Sequence, residues 1–197
     1  EVENGNLGKV VSMYAKRNLA GFITETHLDK LSAMFGDGIH DLDLMMWYSN
    51  SKLKSVFAQS INTRPHLKYD DISWAMFRFE DDSFAVIENN WSLPDNVPYA
   101  INAGMEIVGN KGMVSIDNSG QNFTIITKNG VTYPEARYWP VVHKARRGFL
   151  KEELEYYVKC ILNGQKPTVI TPQESRDVVH AIRLAEQSAK ENRVINF

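Results

Sequence analysis

The chain has 197 residues, 22 Lys and Arg against 24 Asp and Glu, a formal net charge of -2, and 43% hydrophobic residues. That is ample apolar material for a real core, and the near-neutral balance excludes nucleic acid as the main partner. No apolar run reaches the length of a membrane span, and Glu1-Val2-Glu3-Asn4-Gly5 is unlike a signal peptide, so no membrane association and a cytoplasmic location are expected.

Lys9 to Arg17 reads as a strand, with Val11, Met13 and Ala15 on one face and Val10, Ser12, Tyr14 and Lys16 on the other. It ends in Lys16-Arg17-Asn18, and a loop follows through Gly21-Phe22-Ile23-Thr24-Glu25-Thr26-His27, long enough to cover something. The chain is organised around Gly36-Asp37-Gly38-Ile39-His40-Asp41-Leu42-Asp43-Leu44-Met45-Met46-Trp47-Tyr48. The two glycines permit a sharp turn, Asp37 suits an N-cap, and Ile39, Leu42, Met45 and Met46 repeat at helical spacing. This predicts a helix over about 38–49, with Asp41, Asp43 and Tyr48 directed away from its buried stripe. His40 falls in the first turn, where the helix dipole disfavours imidazolium and Asp37, Asp41 and Asp43 favour it. Such a balance suits an acid or base at physiological pH. A histidine at a helix start more often serves as a hydrogen-bonded structural group, and the residues alone leave both readings open.

Strands are predicted over 53–61, 72–79, 84–91, 103–108 and 113–117, with 123–127 and 131–133 as a last hairpin, so the middle of the chain, about 53–133, reads as a mainly antiparallel sheet. Strand and helix do not alternate as in a doubly wound fold. Helices are predicted at about 149–163, with Leu150, Leu154, Tyr157, Val158, Ile161 and Leu162 on one face and Cys160 as a buried thiol, and at 172–191, where Thr171-Pro172-Gln173-Glu174 is a capping box with proline at the first position. One cysteine excludes an internal disulfide. His27, His40, His66, His143 and His180 have no metal-ligand spacing, so no metal site is expected, and His180 reads as helix packing. Trp91 reads as core or interface.

Gly38-Ile39-His40-Asp41-Leu42-Asp43-Leu44, then Met105-Glu106-Ile107-Val108-Gly109-Asn110-Lys111-Gly112, then Lys151-Glu152-Glu153-Leu154 and Arg183-Leu184-Ala185-Glu186-Gln187-Ser188-Ala189, resemble the second domain of the glucose-fructose oxidoreductase and inositol dehydrogenase family. The resemblance covers nearly the whole chain. It implies an α+β fold, a single substrate-binding and oligomerisation domain over 1–197. Its large open, mainly antiparallel sheet would carry helices on one face, like the C-terminal domain of dehydrogenases of the glyceraldehyde-3-phosphate dehydrogenase type. It also implies an NAD- or NADP-dependent oxidoreductase acting on a sugar, polyol or sugar nucleotide by hydride transfer. The N-terminal Rossmann domain that would hold the cofactor is absent from the sequence, which has no Gly-x-Gly-x-x-Gly turn; a truncated or split product, inactive by itself, is expected.

In that family a histidine of this helix acts as acid or base, and His40 matches it. Many members carry an aspartate four residues earlier; here that position is Gly36, and Asp37, one residue off, either substitutes for it as a catalytic partner by local backbone adjustment or leaves the histidine without one. The resemblance further implies substrate contacts at Lys16, Arg17, Asn18 and Tyr99, with Asn18 matching best and Arg17 suited to a carboxylate or phosphate. The loop Tyr138-Trp139-Pro140-Val141-Val142-His143 with Lys144, Arg146 and Arg147 resembles one in sugar-nucleotide-oxidising members, which brings in His143; a solvated basic loop is the other reading. Apolar Trp74, Met76 and Val86 on strands that few helices can cover predict a homodimer or homotetramer through the sheet. The competing reading is a non-catalytic sugar-binding, regulatory or assembly module of the same fold, which Gly36 favours.

Overall fold

The computed structural model describes the chain except residues 26, 28, 121–122 and 135–137. Thr26 of the expected covering loop, and residues 121–122 within the range expected for the sheet, thus lie outside the described residues. In chain order the elements are β1 (Val10–Ala20), a short α1 (Gly21–Thr24), a five-residue π-type turn (Met34–Gly38), α2 (Ile39–Ser49), β2 (Leu53–Ile61), β3 (Ile72–Phe79), β4 (Phe84–Leu93), β5 (Ile101–Gly109) and β6 (Met113–Asp117). They continue as β7 (Ile125–Thr127), β8 (Gly130–Thr132), β9 (Val141–Val142), β10 (Ala145–Arg146), α3 (Phe149–Leu162), α4 (Pro172–Glu191) and β11 (Ile195–Asn196).

Seven strands form one sheet in the order β11-β2-β3-β4-β1-β5-β6. Every neighbouring pair is antiparallel except the central β1 and β4, which run parallel. The fold is therefore α+β with a large, mostly antiparallel sheet. Period-two alternation divides its side chains. Met13, Ala15, Val56, Ala58, Ala75, Phe77, Ala85, Ile87, Met105 and Ile107 build the core on one face. Leu42 and Met45 of α2 and Val178, Ala181, Ile182 and Ala185 of α4 cover them. Among the described residues the other face bears no helix of this core: Trp74 and Met76 are 46% and 49% exposed, and Trp74 stacks on Tyr14 with ring centroids 6.3 Å apart.

Several expectations shift. The register of β1 against β5 slips between Val10 and Ser12, so Val10 joins the core and Val11 faces out, reversing the alternation expected there. The hairpin β7–β8 is a separate two-stranded ribbon and does not extend the main sheet. In α3 the predicted apolar stripe is uncovered, with Leu150, Leu154, Tyr157, Val158, Ile161 and Leu162 all exposed, while Cys160 is buried. His180 is exposed on α4, because the packing side of that helix is the Val178-Ala181-Ile182-Ala185 stripe three and four residues apart. No helix among the described residues is long and apolar enough to cross a membrane.

Helix α4 begins as the sequence dictates: the Glu174 amide donates to Thr171 Oγ1 at 3.2 Å, and the Thr171 amide donates to the Glu174 carboxylate at 2.7 Å. Further along, Ser188 accepts from the Ala58 amide at 3.0 Å and donates to the Arg193 carbonyl at 2.6 Å, fastening α4 to β2 beside short β11. Thr171→Ala removes the hydroxyl from the capping box and is expected to lower unfolding free energy by about 1 kcal/mol. Thr171→Ser restores most of it, both read by urea titration of the chain.

Candidate active site

Parallel pairing of β1 and β4 places Arg17 beside Asn89, and α2 starts over that end of the sheet. Arg17 projects to the core face and grips Asp41 of α2 with two bonds, Nε to Oδ2 at 3.1 Å and Nη2 to Oδ1 at 2.7 Å. The fork matches a carboxylate, so the pair fixes the first turn of α2 to β1. Asp41 is nearly buried, contrary to the outward direction expected of it, because Arg17 meets it beneath the helix. His40, one residue earlier, remains exposed.

Asp37 is not the cap of α2. That position falls to Gly38, while Asp37 lies within the π-type turn and accepts from the Trp91 indole N–H. A Cβ on Gly36 would lie 2.4 Å from Trp91 Cη2, so the indole occupies the space a side chain would need. A Cβ on Gly38 would lie 2.6 Å from Asn89 Oδ1. Asn89 is fully buried, and neither its amide oxygen nor its nitrogen has a partner.

Burial pushes the Asp37 carboxyl above its ordinary range, against the Trp91 hydrogen bond and the charges of Arg17 and His40. Burial raises Asp41 likewise, with Arg17 and His40 opposing. Asp43 is raised by burial and by the Glu174 charge, with His40 opposing. Burial also disfavours the Arg17 cation, but the Asp41 hydrogen bonds and nearby negative charge outweigh it and leave the guanidinium more firmly protonated than usual. The His40 charge thus acts on three carboxyls, and one exposed imidazole stands at the edge of a polar, partly buried cluster. Among the described residues no group of three His, Cys, Asp or Glu side chains is placed to hold a metal ion.

The remaining candidates are dispersed. Lys16 and Asn18 alternate with Arg17 and project to the open face, where Asn18 donates to Glu88 at 2.7 Å and Tyr14 bonds the other oxygen of that carboxylate. The Tyr99 hydroxyl accepts from Asn102 at 3.4 Å, and Asn102 is the cross-strand neighbour of Asn18. His143 sits in the exposed turn of the β9–β10 hairpin with φ 50°. From the same loop, Tyr138 comes within electrostatic range of Arg17. Sequence reading missed Asn89 and undervalued Trp91, although Ala85, Ile87, Asn89 and Trp91 fall in one strand phase, which marks an asparagine on the core side.

The description of the GFO/IDH/MocA C-terminal domain matches residues 1–115. The chain belongs to that family. No curated protein matches it. Among solved structures, GenD2 from gentamicin A biosynthesis in complex with NAD is 20% identical with a TM-score of 0.79, over 99% of this chain and 57% of that one. The myo-inositol 2-dehydrogenase from Lactobacillus plantarum is 18% identical with a TM-score of 0.76, over 100% of this chain and 59% of that one. The scyllo-inositol dehydrogenase from Lactobacillus casei with bound NAD(H) and scyllo-inositol is 20% identical with a TM-score of 0.73, over 99% and 58%. At such identities the likeness shows the fold. This GFO/IDH/MocA C-terminal domain spans under three-fifths of the length of those proteins.

In this GFO/IDH/MocA C-terminal domain the field of Asp37 can be tested directly. Folding raises its pKa above the unfolded value, so its contribution favours the fold below the unfolded value and is lost as pH rises through the folded value. Asp37→Asn keeps an acceptor for Trp91 and removes the charge. The variant should therefore gain stability relative to the parent between about pH 3 and about pH 7. Urea titrations at both pH values check this; a gap that does not change with pH would contradict burial as the dominant effect.

Proposed function

We propose that this chain is the substrate and assembly domain of an NAD(P)-dependent oxidoreductase that moves a hydride to or from a carbinol carbon of a sugar, polyol or sugar nucleotide. The observation that carries the reading is the cluster of exposed His40 with Asp37, Asp41 and Arg17 at the mouth of the sheet, on a fold shared with inositol dehydrogenases. The residues present do not fit a dinucleotide. The sequence has no phosphate-cradling Gly-x-Gly-x-x-Gly turn, and the carboxylates around His40 repel a pyrophosphate. In this reading NAD or NADP belongs to a separate dinucleotide-binding domain, where it supplies or accepts the hydride.

What this chain contributes is the proton. His40 takes the substrate hydroxyl proton during oxidation, or returns it during reduction, at its exposed imidazole. Asp37 and Asp41 lie within electrostatic reach of His40, and the Arg17 fork holds Asp41 to β1. In this reading Asp37 takes the role of an aspartate at position 36, where Trp91 fills the space a side chain would need, and its carboxylate accepts from the Trp91 indole. Lys16, Asn18, Tyr99 and His143 remain candidate substrate contacts in this reading. The competing reading, a non-catalytic sugar-binding or assembly module, draws on that same Gly36.

In the enzyme that joins this chain to its dinucleotide-binding domain, His40→Ala should lower kcat by about 10²- to 10⁴-fold and remove a limb of the pH profile, with the fold intact by circular dichroism. Near-normal kcat across the pH range would favour the non-catalytic reading.

The open face of the sheet is the proposed homodimer or homotetramer surface, because Trp74, Met76 and Phe84 lie exposed together on adjacent strands. Light scattering at high micromolar concentration should give a dimer or larger, and Trp74→Glu should shift it to monomer. A monomeric parent chain would refute this surface.

A further inference from the structure

The segment leading into the π-type turn, the residues 60–73 and the last turns of α4 enclose a cleft of about 600 Å³, none of whose walls comes from Arg17, Asp37, His40 or Asp41. That volume lies within the range of small-molecule sites. At its floor Ser73, on the core face of β3, is 2% exposed, and its hydroxyl has no partner. A buried hydroxyl left unpaired is costly, so a group entering the cleft has a bond waiting for it.

The walls carry three cations, Lys68, Arg183 and Lys190, against two acids, Asp70 and Glu186. Arg183 lies over the Phe35 ring at 4.4 Å and gives Glu186 one bond at 3.1 Å, with further N–H donors to offer. Lys68 lies over the Tyr69 ring at 4.9 Å, and among the described residues neither it nor Lys190 has a carboxylate within ion-pair reach. Glu186 is engaged by Ser32 at 2.7 Å as well as by Arg183, whereas Asp70 accepts one bond, from Ser60 at 2.5 Å, and keeps acceptor sites open to the cleft.

We propose that this cleft is a second binding site, for a small hydroxylated organic anion such as a phosphorylated or carboxylated sugar. The ammonium and guanidinium groups take the anion, and Ser73 with the Asp70 carboxylate takes the hydroxyls. The site stands whether or not His40 is catalytic.

Calorimetry of the 197-residue chain with glucose 6-phosphate, gluconate, inorganic phosphate and glucose tests it. Saturable binding of glucose 6-phosphate or gluconate is expected, the one that binds identifying the anion, with glucose binding far more weakly. The surface double variant Lys68→Gln/Lys190→Gln should lose at least about tenfold in affinity. Ser73→Ala should weaken the sugar anion about tenfold and leave inorganic phosphate unchanged. Absence of binding by both sugar anions up to about 10 mM, an affinity range short of weak metabolite sites, would overturn the proposal. Binding unaffected by all three substitutions would overturn it equally.

Discussion

The position of Trp91 depends on a buried charge, and the candidate active site depends on Trp91. Asp71 is fully buried yet ionised readily, its carboxyl held below the usual range although burial alone would raise it, because its oxygens collect hydrogen bonds. The Thr63 amide and hydroxyl donate at 2.8 and 2.5 Å, Ser92 at 2.7 Å and Arg64 at 3.1 Å. Arg64 also donates to the Trp91 carbonyl at 2.6 Å, Thr24 donates to the same oxygen at 2.9 Å, and the Trp91 amide donates to the Asp71 carbonyl at 2.7 Å. A carboxylate taken out of water is tolerated only with such saturation. The backbone of Trp91 is thereby immobilised, its indole presses against Gly36, and Asp37 finds its N–H in a fixed place.

From that point the polar cluster is a matter of strand phase. Arg17, Asn89 and Trp91 occupy core-facing positions at the ends of two parallel strands, where apolar side chains give way to polar ones. One residue to either side of Arg17, Lys16 and Asn18 belong to the opposite surface and to a different set of bonds, those of Glu88 and Tyr14. A three-residue run in the sequence therefore serves two chemistries separated by the thickness of a sheet.

Much of this could be read from the sequence because local rules and tertiary packing agree. The capping box of α4, the alternation of β3 and the glycine turns each encode their own structure within a few residues. The failures have equally physical causes. A bulge in β1 exchanges the environments of Val10 and Val11, and no single-strand pattern reveals it. Asp41 faces inward because Arg17, 24 residues away, meets it there. The π-type turn converts an expected N-cap into a partner for an indole on β4, a contact spanning 54 positions. The stripe of α3 is apolar in the sequence, but amphipathicity states that a face seeks cover without stating what provides it.

The parallel contact between β1 and β4 has a consequence for the route by which the molecule assembles. The hairpin β3–β4 closes over four residues, and β2 pairs with β3 across about ten, so these strands can zip together early. The central strand cannot. Both its neighbours, β4 and β5, lie about seventy to one hundred residues further on, so β1 must wait through the synthesis of everything between. Closing such long loops places the entropic barrier late and makes folding slow for the size of the chain. Arg17 travels on that strand, so the sheet-side half of the ion pair that steadies the start of α2 is set in its final place together with β1.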